Sequence, residues 1–271
     1  GSGPEGVRMT LTGQVFAVMQ GIASDEEVKR IVHSVEHFLK DPAGGAHRLN
    51  TDFKVRNYLD FGRAFSFAYG TKENGAVFSH MAVMYAYALY ARGFVREGYQ
   101  ALQALYRMSM NGSVSKIYPN IPEYFDGQGR GMYAYLTGSA SWYVLAVLTQ
   151  GFGVRGRNGD LILEPKLVAE QFSQEGFAQS QCFFGGRKVK VIYQNRARHD
   201  FGVYVIKSVL INGRAVAEVK MTPEVVTVPR PVFEQAPKDG IVEIDVVLEH
   251  RSIVAAVVKQ MADFFHIKSK N

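Results

Sequence analysis

The sequence predicts a mixed α and β protein in which a helical half is followed by a β-rich half. Three observations support this prediction. Apolar residues recur at helical spacing through about the first 150 of the 271 residues, short β-branched segments follow Gly151, and helical spacing returns after residue 250. These changes of period divide the chain into three segments, residues 4–153, 154–250 and 251–271.

The clearest helix begins at Ser24, which forms a capping box with Glu27, and it ends before Pro42. Two further helices are apolar on nearly every side, and such helices are buried by neighbours all round. Polar residues at the starts of these two helices are therefore the first candidates for a site. After the helix that begins at Ser24, the sequence predicts three more helices: one from residue 75 or 76 to 91, one over 95–110, and one from about residue 137 or 138 to 151.

The second segment predicts an antiparallel sandwich or barrel of short strands. The pair Asn212-Gly213 indicates a hairpin, and the glycine-rich residues 153–159 indicate a linker between the halves. The last segment predicts a helix with one apolar face, which is expected to dock on the rest of the protein. The predicted strands cover residues 161–163, 187–193, 203–210, 224–228 and 241–248.

Composition excludes several classes of protein. The 31 Lys and Arg exceed the 25 Asp and Glu by six, but no run of five like charges exists, so no nucleic-acid partner is expected. No apolar stretch is long enough to span a membrane. The single cysteine, Cys182, cannot form an internal disulfide, which favours a reducing compartment and predicts a cytoplasmic location.

Two polar clusters precede the apolar helices. In the first, Asn74 can cap the helix, Glu73 gains from its positive end, and His80 can bind an anion or a hydroxyl. The alternative for His80 is a core histidine satisfied by one hydrogen bond. In the second cluster, Thr137 and Gly138 offer a hydroxyl and open backbone N–H groups, which suit phosphate. The alternative there is a plain helix cap.

A third candidate lies in the proline-fixed segment 119–126, where Glu123 and Asp126 stand among aromatic residues. Carboxylates beside aromatic rings suit the hydroxyls and the faces of pyranose sugars. The alternative is an ordered surface loop. Motifs of nucleotide binding, zinc proteases, thiol redox and serine hydrolases are missing, and the pair His33 and His37 does not predict a metal site.

These segments resemble the family 94 glycoside phosphorylases. Residues 72–80, Lys-Glu-Asn-Gly-Ala-Val-Phe-Ser-His, are similar to the family's Glu-Asn-Gly…His segment. Residues 136–142, Leu-Thr-Gly-Ser-Ala-Ser-Trp, are similar to its Leu-Thr-Gly-Thr-Ala-Ala-Trp motif, and residues 153–165 to its helical-to-β junction. Order and spacing agree over residues 10–250, and the sequence around residues 62–67 and 121–125 is closest to the β-1,2-glucan branch.

The resemblance implies the C-terminal half of an (α/α)6 barrel, followed by a β-sandwich-like domain. The implied reaction is inverting phosphorolysis of β-linked gluco-oligosaccharides, with inorganic phosphate as co-substrate and no cofactor. The implied partners are that sugar, the remainder of the enzyme and a second copy in a homodimer. By resemblance, phosphate is bound by His80, Thr137 and Gly138, and sugar by Glu73, Glu123 and Tyr124.

The resemblance covers only the end of a longer enzyme. Twelve barrel helices need roughly 250–350 residues at about 1.5 Å per helical residue plus loops. The family's general acid lies in an Asp-Trp-Asn-Asp type motif, and the only tryptophan here is Trp142. No catalytic residue is therefore expected in this chain, which by itself should be inactive. Two alternatives stay open: the terminal module of a cyclic β-1,2-glucan synthase, and a non-catalytic carbohydrate-binding or assembly module.

Overall fold

A computed structural model describes residues 2–3, 6–54, 57–117, 120–134, 138–235 and 240–252. Its contacts divide the chain into two compact units between Val147 and Leu148. The boundary predicted at residues 153–154 lies inside the second unit. The predicted C-terminal helix lies outside the described residues from residue 253 onward.

Helices make up most of the described part of the first unit. Among them, α4 packs against α1, α5 and α7 and is buried along most of its length, as its apolar sequence predicts. The twelve-helix barrel stays a prediction. The helices are α1 (Leu11–Met19), α2 (Asp25–Phe38), α3 (Tyr58–Phe61), a 3-10 turn (Gly62–Ser66), α4 (Ser79–Ala91), α5 (Val95–Met110), α6 (Gly112–Ser115) and α7 (Gly138–Leu145), which continues as a π-helix (Ala146–Gly151).

The capping box at the start of α2 is confirmed. The Ser24 hydroxyl accepts from the Glu27 backbone N–H at 3.3 Å, and the Glu27 carboxylate accepts from the Ser24 backbone N–H at 2.8 Å. Two otherwise unpaired donors of the first turn are thereby satisfied. None of the described helices is long and apolar enough to cross a membrane.

The predicted start of α4 was wrong. The helix begins at Ser79 because Val77 and Phe78 form a short strand that pairs with Tyr124 and Phe125. Gly75, before this strand, has a φ of 75°, which a helix does not allow.

Asn74 does not cap the helix, contrary to the sequence-based prediction. Its amide N–H donates to the Phe67 carbonyl at 2.8 Å, and its side-chain oxygen accepts from Asn50 at 3.2 Å. The side chain therefore fixes the loop before the strand, and α4 starts without a side-chain cap.

A three-stranded sheet links the helix starts to the aromatic loop. Its strands are β3 (Val77–Phe78), β4 (Tyr124–Phe125) and β5 (Gly131–Met132), all antiparallel. Tyr124 and Phe125 are 4% and 0% exposed, so this part of segment 119–126 is buried and is not a surface loop. A separate two-stranded ribbon at the N-terminus pairs β1 (Ser2–Gly3) with β2 (Gly6–Val7).

An acid-sensitive ion pair joins α2 to the loop that follows it. Glu36 accepts from the buried His47 at 2.7 Å and from Lys40 at 2.6 Å. The hydrogen bond from His47, assisted by Lys40 and opposed by partial burial, lowers the pKa of Glu36 from 4.5 to about 2. A depressed carboxyl pKa stabilises the fold above the unfolded-state value, and this stabilisation is lost as the pH falls through the folded-state value.

We expect Glu36→Gln to lower the free energy of unfolding at pH 7 by about 1 kcal/mol, since solvent screens a carboxylate that is 41% exposed. The deficit should shrink as the pH falls from about 4.5 to about 2, where the native Glu36 is itself protonated. Urea unfolding at pH 7 and pH 3 measures both effects. Glu26→Gln, on the exposed face of the same helix, should change little. Equal losses in the two variants would contradict the prediction.

The described part of the second unit consists mainly of two four-stranded sheets. One has the strand order β11-β12-β7-β6, and the other has the order β10-β13-β9-β8. The strands are β6 (Val154–Arg157), β7 (Asp160–Leu163), β8 (Phe177–Phe184), β9 (Arg187–Gln194), β10 (Tyr204–Ile211), β11 (Lys220–Met221), β12 (Val226–Val228) and β13 (Ile241–His250). A 3-10 turn (Ala169–Gln171) and a short helix, α8 (Arg230–Glu234), complete it.

Both sheets contribute to one hydrophobic core. Alternate residues of β9 and β13 are buried, which is the two-residue period that the sequence shows. Leu161 and Leu163 of β7 belong to the same cluster. The strands therefore bury one face of each sheet against the other.

Two predictions for the second unit were wrong. The sheet is not wholly antiparallel, because β13 inserts between the oppositely running β9 and β10 and so runs parallel to β9. Residues 153–159 are not a linker, since β6 and β7 form a hairpin around Asn158 and Gly159, both with positive φ. The turn at Asn212-Gly213 also has positive φ at both residues, but the chain returns there through a single bridge, Ile211 with Arg214.

Candidate functional site

The starts of α4 and α7 lie against each other in the first unit. The His80 ring, at the second position of α4, faces Gly138, at the first position of α7. A Cβ on Gly138 would lie 3.0 Å from His80 Cε1 and 3.3 Å from Nδ1, so only glycine leaves this approach open. The sequence left the convergence of the two helix starts undecided, and the structure brings them together. Thr137 lies outside the described residues.

His80 lies at the start of α4, and its Nε2 is buried without a hydrogen-bond partner among the described residues. The role of binding an anion or a hydroxyl stays a prediction. The centre of the His80 ring lies 5.7 Å from that of Trp142. Burial lowers the pKa of His80, and the imidazole is therefore neutral at pH 7. A neutral imidazole can donate from one ring nitrogen.

Three more buried polar atoms have no hydrogen-bond partner: Ser79 Oγ, Glu73 Oε2 and Glu123 Oε2. Ser79 and Glu73 are close to His80 in sequence, and Glu123 directly precedes strand β4. The backbone joins two of these residues, because the Ser79 N–H donates to the Glu123 carbonyl at 3.0 Å. Among the described residues, only Ser180 Oγ shares this condition. Buried polar groups are nearly always paired, so this concentration makes the cluster a candidate ligand site.

Aromatic rings and a lysine stand beside the two glutamates. Tyr124 stacks on Phe78 at 6.4 Å between ring centres and contacts the Tyr133 ring at 6.0 Å. The Lys72 ammonium lies 4.1 Å from the centre of the Tyr133 ring. Burial raises the pKa of Tyr124, which keeps its hydroxyl neutral. The site thus combines aromatic walls, carboxylates and a cation, a composition suited to a polar ring-shaped ligand.

A family model described as the catalytic domain of the glycosyl hydrolase 94 superfamily matches residues 3–153, more than half of the chain. The chain belongs to this superfamily. The predicted resemblance is therefore confirmed.

The curated relatives of this family 94 chain are much longer than it is. It is 26% identical over 175 residues to cellobionic acid phosphorylase from Neurospora crassa, covering 59% of this chain and 22% of the relative. The chain is also 26% identical over 175 residues to 3-O-beta-D-glucopyranosyl-beta-D-glucuronide phosphorylase from Paenibacillus borealis, and the match covers 60% of this chain and 22% of the relative. It is 26% identical over 173 residues to cyclic beta-(1,2)-glucan synthase NdvB from Rhizobium meliloti, and that match covers 60% of this chain and 6% of the relative. The chain spans about a fifth of the length of the two phosphorylases.

Asp126 does not offer a free carboxylate to the candidate site, contrary to the sugar-binding interpretation. It is 8% exposed and accepts from the backbone N–H groups of Gln128 and Arg130 and from the Arg130 side chain, at 2.8–3.0 Å. Although burial opposes them, these hydrogen bonds lower the pKa of Asp126. Its carboxylate holds the turn between β4 and β5.

Metal binding and thiol chemistry find no support among the described residues. Within the described ranges, no three His, Cys, Asp or Glu side chains lie close enough together to hold a metal ion. Cys182, on β8, is half-buried, and burial raises the pKa of its thiol, which disfavours the reactive thiolate.

Proposed function

We propose that this chain supplies the phosphate- and sugar-binding end of the catalytic domain of an inverting glycoside phosphorylase. Inorganic phosphate would attack the anomeric carbon of a β-linked gluco-oligosaccharide and release α-glucose 1-phosphate. The general acid that protonates the leaving oxygen would come from another part of the enzyme. The observation that carries the proposal is the set of four buried, unpartnered polar atoms beside two facing helix starts.

Phosphate would lie where α4 and α7 begin. Neutral His80 can donate from Nε2 to a phosphate oxygen, and the nearby Ser79 hydroxyl can donate as well. The positive ends of both helices favour an anion at this place. By resemblance to the family, Gly138 and Thr137 complete the phosphate contacts.

The sugar would lie against β4 and the loop that holds Glu73. The unpartnered oxygens of Glu73 and Glu123 can accept from sugar hydroxyls, which restores the hydrogen bonds that burial removed. Tyr124 is too buried to offer a wide face, and its contacts with Phe78 and Tyr133 assign it the role of fixing the wall.

The relatives are named for different kinds of sugar. The relatives include phosphorylases named for cellobionic acid, for a glucuronide and for N,N'-diacetylchitobiose, which are acidic and neutral sugars alike. Without a general acid, the isolated chain is expected to bind ligands and to release no sugar phosphate.

The proposal is tested by titrating the chain with inorganic phosphate in a calorimeter. We expect His80→Asn to weaken phosphate binding by about tenfold, or about 1.4 kcal/mol, because asparagine cannot replace the Nε2 donor. The matched control is His33→Asn, on the exposed surface of α2, which should bind phosphate as the native chain does. Equal phosphate affinity in both variants, or no binding by the native chain, would refute the proposal.

A further inference from the structure

Strand β8 forms one edge of its four-stranded sheet, and the outer side of that edge is open. Phe177 shows which backbone groups face outward, because its N–H donates to Ser173 Oγ at 3.2 Å and its carbonyl accepts from the Ser173 N–H at 2.8 Å. Backbone groups alternate between the two sides of a strand, so those of Gln179, Gln181 and Phe183 also point away from β9. In the described part of the chain, these outward groups have no hydrogen-bond partner.

The β8 edge lacks the features that keep an exposed edge from pairing with another strand. Its eight residues, Phe177–Phe184, include no charged residue and no proline. The side chains of Gln179 and Gln181 are exposed, and Phe183 is 76% exposed. A long, uncharged and partly apolar edge is a ready template for a further strand.

The opposite edge of the same sheet is protected. Strand β10 carries the exposed Lys207, and its pairing with β13 shifts register between Ile206 and Ser208. The Ile206 N–H is already used, since it donates to the Pro223 carbonyl at 2.8 Å. A lysine, an irregular register and a covered backbone group are devices that block edge pairing, and β8 has none of them.

Ser180 lies near the middle of β8 and has an unused hydroxyl. Its Oγ is buried, and it has no hydrogen-bond partner among the described residues. Its backbone groups face β9, on the other side of the strand from those of Gln179 and Gln181. Leaving a buried hydroxyl unpaired costs free energy, so a neighbouring strand that offers it a partner gains stability from it.

We propose that β8 is a self-pairing edge, through which two copies of this chain join their sheets into one continuous sheet. The two β8 strands run antiparallel, and the two-fold axis passes through Ser180. The inference concerns the second unit alone and goes beyond the proposed function, which does not depend on it. It locates a surface for the second copy, which the sequence implied only by resemblance.

The occupant is a second copy because β8 is complementary to itself in this register. Gln179 lies opposite Gln181 of the second copy, and these two residues exchange both of their backbone hydrogen bonds. Phe183 lies opposite Phe177 of the second copy, which covers its exposed ring, and no charges of the strand oppose each other. Pairing uses the open edge of both copies, so the association stops at a dimer.

The same register gives the Ser180 hydroxyl its missing partner. The two copies of Ser180 stand directly opposite, with about 4.5–5.5 Å between their Cβ atoms. Serine has one side-chain torsion between carbon and oxygen positions, so a change of rotamer lets one hydroxyl donate to the other across the axis.

Sedimentation velocity of the full chain over a range of concentrations tests the proposal. A single strand pair is a small contact, so we expect a monomer at about 1 µM and a dimer at about 500 µM. Gln181→Lys should weaken dimerisation at least about tenfold, because it places a lysine on the edge of each copy. Its side chain is exposed, so thermal unfolding should stay close to that of the native chain.

Gln20→Lys is the matched control, because it adds the same charge at the exposed end of α1, where a helix favours a cation. It should dimerise as the native chain does. A native chain that stays monomeric at about 500 µM, assemblies larger than a dimer, or a dimer that Gln181→Lys leaves intact would overturn the inference.

The register is tested by cross-linking in a Cys182→Ser background, which removes the native thiol. Under mild oxidation Ser180→Cys should link the two copies, since opposed residues of this kind lie within the range of a disulfide. Gln179→Cys in the same background should link far more slowly, because it faces Gln181 rather than its own copy. Faster linking at position 179 than at position 180 would overturn the proposed axis.

Discussion

Gly153→Ala is expected to lower the free energy of unfolding by about 3 kcal/mol or more, the largest effect of any alanine substitution that we predict. Gly153 has a φ of 65°, and a Cβ there would overlap the backbone carbonyl of Glu164. That carbonyl cannot move away easily, because the Glu164 N–H donates to the Gly153 carbonyl at 3.1 Å beside the β6–β7 hairpin. Backbone has no alternative rotamer, so the clash must distort the hairpin.

Gly186→Ala separates the clash from the cost of the backbone angle. Gly186 has a φ of 72°, and a Cβ there would meet no atom within 4 Å. It should lose about 1 kcal/mol, the cost of the left-handed conformation alone. Chemical denaturation of the two variants beside the native chain measures the difference. If both unfold at the same denaturant concentration, the predicted overlap with Glu164 does not exist.

Local signals predicted α2 well and the start of α4 badly, for one physical reason. The Ser24 capping box depends on residues three positions apart, so the sequence contains all of it. The start of α4 depends on Val77 and Phe78 pairing with a strand almost 50 residues away. That tertiary pairing overrides the helical spacing of apolar residues that predicted an earlier start.

The same distinction applies to the candidate site. Residue type, spacing and family resemblance pointed to Glu73, His80 and Glu123, whose roles stay predictions. The contact of His80 with Gly138 joins two distant helices, which no local pattern shows. Asp126 looked as available as Glu123, but its carboxylate is used by the turn at Arg130.

The left-handed conformation of Lys72 had no usable signal in the sequence. A lysine next to a glutamate is usually read as a solvated pair, and only the backbone angle and the ring contact single out Lys72. The dipeptide Asn158-Gly159 did contain a signal for the β6–β7 hairpin, the same one that was recognised at Asn212-Gly213. It was missed because the glycines around it favoured a linker.

Gly138→Ala is expected to weaken phosphate binding about tenfold, or by about 1.4 kcal/mol, without destabilising the fold. The new methyl group would lie 3.0 Å from His80 Cε1, closer than such contacts normally come, so the imidazole has to shift. Gly138 is the first residue of α7, where alanine gains little of the stability that it gives inside a helix, so the free energy of unfolding should stay nearly unchanged. Phosphate binding should therefore weaken without a loss of stability, which a merely damaged fold cannot produce.

Calorimetric titration with phosphate and thermal unfolding of the same samples measure both quantities. Gly112→Ala is the control, because Gly112 also begins a helix and its Cβ would lie 3.9 Å from the nearest atom. It should leave phosphate binding unchanged. A loss of stability in Gly138→Ala with native phosphate affinity would mean that the glycine serves packing alone.

The double variant with His80→Asn decides whether the glycine acts through the histidine. If Gly138 matters only because it lets the His80 ring take its place, then the substitution should cost little once the ring is gone. The two losses would then combine to much less than their sum, since coupled neighbours are not additive. Fully additive losses would instead mean that the new methyl group hinders phosphate directly, independently of His80, because alanine keeps the backbone N–H of this position.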